Sequence, residues 1–213
     1  YAHNTGVKTN LAESGGVSVF NDSSTIGTWL QNAGYSTAHI GKYINGYVNI
    51  SPYIPPGWDD FRAGREDPVG QQFYYNYTMN ENGNIVTYGS EASDYSTDVL
   101  KTQVTNFIES HAAGPFFVVL SVFAPHASAT PAPRHIGSYA NLAPFRPASF
   151  EDYDASDKPT FWQDAAYGWS VGPQGRRMAN DKFRIDQIET LQAVDEGVRD
   201  ILDTLEATNN TNN

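Results

Sequence analysis

Cysteine is absent from all 213 residues, which excludes disulfides, thiolate metal sites and a cysteine nucleophile within them. Long apolar runs are absent too. The longest, Phe116 to Ala124, is interrupted by Ser121 and falls far short of the roughly 20 residues a membrane helix needs. Basic residues are few, 13 against 24 acidic ones, and the formal charge is −11. They are scattered, with no stripe able to displace phosphate counterions, which argues against nucleic acid and weakens the case for a groove gripping a long polyanion. A small anion in a locally positive pocket stays open, because local field and net charge are separate quantities. There is no Gly-x-x-x-x-Gly-Lys-Ser/Thr loop, which excludes a P-loop, and no internal repeat or heptad array.

What is present is an ordinary globular composition, long enough for one α/β domain or a large piece of one. Thr25 to Ala33 reads as a helix with Ser23 or Ser24 as N-cap, one apolar face of Ile26, Trp29 and Leu30, and Gly34 just past its end. Tyr35 to Ile40 reads as a short strand delivering Gly41-Lys42, and residues 43 to 72, rich in proline and glycine, as loop. Bulky alternation around Asn82-Gly83 signals a hairpin of residues 73–79 and 85–88, its aromatics assigned to packing. Thr97 to His111 has helical spacing. Phe116 to Phe123 reads as a strand buried on both faces, as central parallel strands are. Residues 125 to 173 hold seven of the twelve prolines and many aromatics, which predicts an ordered excursion over the sheet. Phe183 to Ala207 is the longest expected helix.

Ligands of open α/β sheets bind beyond the carboxyl ends of the strands, so the residues at two such ends become the candidates. Lys42 follows a glycine there and suits an anionic oxygen, although Gly-Lys alone equally fits a solvated loop lysine. His126, between Pro125 and a run of small residues, suits an anion or a leaving oxygen; a capping or packing role fits it as well. His135, after Arg134, is a weaker substrate-binding candidate. Asn21, Asn49, Asn76 and Asn209 begin Asn-x-Ser/Thr sequons, which tilts the chain toward a secreted or lysosome-like compartment. The opening on Tyr1, with no leader-like segment after it, and the polar close Asn209-Asn-Thr-Asn-Asn213 suggest an internal piece of a longer protein.

Taken together, the segments become more specific. Gly34-Tyr-Ser-Thr-Ala-His-Ile-Gly-Lys-Tyr43 resembles the second signature of the sulfatase family, and Ala124-Pro-His-Ala-Ser-Ala-Thr-Pro-Ala-Pro-Arg134 resembles its Pro-His segment. Pro55-Pro-Gly-Trp58, Tyr74-Tyr-Asn-Tyr-Thr78, Asp94-Tyr-Ser-Thr-Asp-Val-Leu100 and Leu191-Gln-Ala-Val-Asp-Glu-Gly197 extend the likeness along the chain, closest to the arylsulfatase and N-acetylglucosamine-6-sulfatase branch.

The resemblance implies an alkaline-phosphatase-like α/β fold, a parallel-rich sheet with helices on both faces, incomplete here. It implies hydrolysis of a sulfate ester or sulfated sugar with calcium and a formylglycine made from cysteine or serine. By position Lys42 matches the lysine on the sulfate and the formylglycine, and His126 the histidine on the sulfate or leaving oxygen.

The same resemblance makes residues 1–213 a partial catalytic domain, inactive alone. The Cys/Ser-x-Pro-x-Arg motif and paired aspartates would precede Tyr1, an Asp-Asn would follow Asn213, and the calcium ligands would lie with them. Asp59-Asp60 sits in a Pro/Gly loop and does not substitute, and Ile44 stands where many sulfatases have a histidine. Two alternatives accompany this reading: a phosphoester or phosphonate hydrolase of the same superfamily, and a non-catalytic sulfated-glycan binder.

Overall fold

A computed structural model describes residues 2–10, 13–65, 73–147, 159–160 and 173–211, with backbone alone for 173–178. In chain order the elements are a helical turn α1 (Ala2–Thr5), α2 (Ile26–Asn32), β1 (Ser36–Gly41), β2 (Asp60–Gly64), β3 (Thr78–Glu81), β4 (Asn84–Thr87), α3 (Ser96–His111), β5 (Phe116–Ser121) and α4 (Pro173–Ala207). The strands form one sheet in the order β4-β3-β2-β1-β5. β1 runs parallel to both β2 and β5, while the hairpin of β3 and β4 adds antiparallel to β2. The architecture is the expected α/β one, parallel at its centre.

Alternation along β1 decides the two faces. Ala38 and Ile40 enter a core with Met79, Leu100, Val104, Phe107 and Ile108, against which Val118, Leu120, Ile201 and Leu205 pack. Each large apolar side chain so buried stabilises by roughly 1.5–3 kcal/mol, which is why α3, with α4 behind it, is held on this face. His39 points the other way, into the rings of Tyr43, Trp58 and Phe61. On that side α2 comes in through Gly27, where a Cβ would stand 2.9 Å from the Gly57 carbonyl oxygen and 3.0 Å from the Trp58 ring.

Four expectations change. The first helix starts after a Thr25 cap, in which the Thr25 hydroxyl accepts from Thr28 N and Thr28 Oγ1 from Thr25 N, and its buried residue is Gly27; Ile26 and Trp29 are 52% and 62% exposed. The stretch read as loop contains β2, which its proline and glycine flanks concealed and which pairs with β1 from Ala38↔Asp60 to Gly41↔Ala63. In the hairpin, Asn82 and Gly83 do form the turn at φ 53° and 91°, but the ladder begins only at Thr78. β5 is half-buried throughout and outermost in the sheet among the described residues, not central. Phe150, Tyr153, Phe161, Trp162, Tyr167 and Trp169 of the expected excursion lie outside the described residues.

Candidate active site

Gly41 closes β1 at φ +117°, and a Cβ there would meet the Ser121 carbonyl oxygen at 2.0 Å, so glycine alone fits. The approach lets Lys42 N donate to Ser121 O at 2.7 Å, carrying the β1–β5 pairing one residue past the strand. Lys42 is half-buried, and its ammonium stands 5.8 Å from the centroid of the Phe73 ring.

β5 ends in the neighbouring register. Beyond it Phe123 stacks on Phe73 with centroids 4.7 Å apart, and His126 N donates to Phe123 O at 2.8 Å, turning the chain. The exposed His126 ring meets Phe73 edge-on at 5.4 Å. Its Nδ1 lies against the carbonyl oxygen of Ala127, a partner that only accepts, so Nδ1 carries hydrogen and Nε2 is the nitrogen left for a ligand. Lys42 and His126 therefore meet at one aromatic ring. Phe73 was assigned to hairpin packing by its sequence neighbours; nothing local reveals that it touches residues 31 positions before it and 53 after.

The loop after His126 is held by distant side chains. Tyr74 Oη donates to His126 O at 2.8 Å, Gln187 Nε2 to Pro125 O at 3.2 Å and Tyr95 Oη to Thr130 O at 3.0 Å. Arg134 bridges Asp98 of α3 and Glu196 of α4, each at 2.7 Å. His135 does not join Lys42 and His126 at Phe73; its Nε2 stands 3.1 Å from Glu196 Oε1, in the cluster with Arg134. Next to the loop a cleft of about 710 Å³ opens between Ser128–Pro131 and Ala179, Lys182, Phe183 and Asp186 of α4.

Around the other strand end, Val17 N donates to Asn45 O at 2.9 Å and Phe20 meets Tyr43 edge-on at 6.5 Å, so the first part of the chain lies beside the loop that follows Lys42. His39 is 6% exposed among rings, and burial lowers its pKa to about 4, which keeps it neutral. Asn21, Asn49, Asn76 and Asn209 are all exposed.

Calcium requires several oxygen ligands. Among the described residues no group of three or more His, Asp or Glu side chains is placed to hold a metal ion. Asp59 accepts from Thr37 N, Thr37 Oγ1 and Gln31 Nε2; burial alone would raise its carboxyl, yet these bonds hold it below the usual range. Asp60 is engaged by Arg62 and Asn82. The residues described do not make a calcium site.

Comparison with known proteins places this geometry. The family model described as Sulfatase matches residues 1–213. The chain is 34% identical over 221 residues to a Sulf-1 homologue of Caenorhabditis elegans, covering 98% of this chain and 29% of that one. It is 28% identical over 186 residues to N-acetylglucosamine-6-sulfatase of Homo sapiens, covering 84% and 32%. It thus spans about a third or less of these relatives. Among solved structures, one in complex with its substrate D-glucosamine-2-N,6-O-disulfate superposes with a TM-score of 0.73 at 24% identity, covering 99% of this chain and 51% of the other, and shows the same fold. The match along the whole length makes this chain a member of the sulfatase family.

Proposed function

We propose that the whole protein is a sulfuric ester hydrolase and that residues 1–213 are part of its catalytic domain. The observation that carries this is the convergence of Lys42 and His126 on Phe73, at the carboxyl ends of adjacent parallel strands. Lys42 places a compact positive charge where negative charge grows on the sulfuryl oxygens, a contribution worth most in a partly desolvated site. His126, with Nδ1–H fixed on Ala127 O, presents Nε2 to the ester oxygen and, when protonated, donates to the departing alcohol. The cleft beside Ser128–Pro131 has room for that alcohol.

Formylglycine and calcium, general to the family, are supplied in this reading by residues outside those described. The contact of Val17 with Asn45 supports the idea that sequence preceding this chain is brought to the Lys42 side. An arylsulfatase or N-acetylglucosamine-6-sulfatase-like activity on a sulfated sugar fits the relatives. A secreted or lysosomal location fits the Sulf-type relatives and the four exposed sequons, which we take as glycan acceptors.

The test is an assay of the whole protein on 4-nitrophenyl sulfate, N-acetylglucosamine-6-sulfate and a phosphate diester. Sulfate release should dominate, and Lys42→Ala and His126→Ala should each lower kcat by about 2 to 4 kcal/mol of barrier. No sulfate release from any ester, or faster turnover of the diester, would overturn the reading. Unchanged kinetics in either variant would remove that residue from the site.

A further inference from the structure

We propose that Tyr74 is the positioning residue of His126: its phenol hydroxyl, donating to the His126 carbonyl oxygen, sets the imidazole against Phe73. This rests on the reading of His126 as the group facing the ester oxygen.

Two adjacent residues do two jobs. Phe73 meets the His126 ring edge-on at 5.4 Å, and Tyr74 reaches the backbone of the same histidine at 2.8 Å. An exposed side chain, held locally only by the contact of its Nδ1 with Ala127 O, is thereby bracketed at both ends by consecutive positions of one segment. A shift of that segment moves ring support and carbonyl anchor together.

Tyr74 is itself immobilised. It is 1% exposed, stacks on Tyr95 at 6.0 Å, and its own carbonyl accepts from Ser96 N at 3.0 Å, which ties it to the first residue of α3. Gln187 of α4 supplies the second anchor, on Pro125 O. Burial pushes the Tyr74 phenol up to about 12, only partly offset by Thr190, so it remains a hydrogen-bond donor across the working range. Removing this donor leaves the ring chemistry of His126 untouched and changes only where the ring stands. Such misplacement costs rate more than binding.

The experiment is a double-mutant cycle in the whole protein, with kcat and KM measured on 4-nitrophenyl sulfate. Tyr74→Phe should lower kcat by about 5- to 20-fold with KM within about twofold. In a His126→Ala background the same substitution should change kcat by less than about twofold, because the residue it positions is gone. An equal loss in both backgrounds, or no loss in either, overturns the proposal. If Tyr74→Phe does not fold, Tyr74→Leu removes the same donor with a different filling of the buried site and should give the same difference between the two backgrounds.

Should the wild-type protein release no sulfate, the functional reading fails by itself. Tyr74 is then decided by histidine-selective NMR: one sharp Cε1–Hε1 signal for His126 in the wild type, split or broadened in Tyr74→Phe, supports positioning. Identical signals overturn it.

Discussion

Lys42 and His126 stand at the ends of neighbouring strands, yet they are held in opposite ways. The Lys42 backbone is fixed by its own strand: Gly41 permits the close approach and Lys42 N bonds Ser121 O, both within the β1–β5 pair. His126 follows a turn, and its loop is fixed by Tyr74 of a bend, Tyr95 just before α3, Gln187 of α4 and the loop's own Arg134, which reaches α3 and α4. The first arrangement is local and intolerant; the second is distributed, so the loss of one tie leaves others.

The contrast can be tested at its rigid end first. Gly41→Ala forces a left-handed alanine against Ser121 O and should cost about 3 to 5 kcal/mol, read as a lowered denaturant midpoint of the whole protein; a cost under about 1 kcal/mol would show that the strand end yields. Next comes His39, in the middle of the same strand and facing only rings. Because its folded pKa, about 4, lies below the unfolded 6.5, the unfolded chain takes up the proton first. Stability is therefore full above pH 6.5 and should fall by roughly 3 kcal/mol as pH drops to 4. His39→Phe should flatten that slope in pH-dependent unfolding, whereas an unchanged slope would place the titration elsewhere. The smallest effect belongs to the distributed end: Arg134→Ala removes partners from Asp98 and Glu196, but the guanidinium is 42% exposed, so about 1 kcal/mol or less is expected. Thermal unfolding checks this, and a larger loss would mean that one tie dominates the loop.

The same contrast explains what could be read from the residues alone. β1, α3, the Asn82-Gly83 turn and the Gly41-Lys42 end are written in short-range spacing, and they appear within a residue or two of their expected places. The pairing of Lys42 with His126 was legible in part, because both follow strand-like runs whose carboxyl ends face one side of an α/β sheet, and resemblance to a family pointed to the same two residues. Phe73, Tyr74 and Gln187 were not legible, because a hydrogen bond across 52 or 62 positions leaves no periodicity behind. β2 was hidden for a related reason: Asp60-Phe-Arg-Ala-Gly64 is a strand because β1 offers it a parallel partner and β3 an antiparallel one, both too distant in sequence to leave a local signal. For His135, no local signal announces that Glu196 stands 3.1 Å from its Nε2.

β5 bears on how the polypeptide associates. Phe116-Phe-Val-Val-Leu-Ser121 is partnered on one side only among the described residues, and neither lysine nor proline interrupts it. Such an edge is a template for another copy's backbone. A chain in which β5 stays unpaired is therefore open to self-association through these six residues, and seating a further strand against them should suppress it.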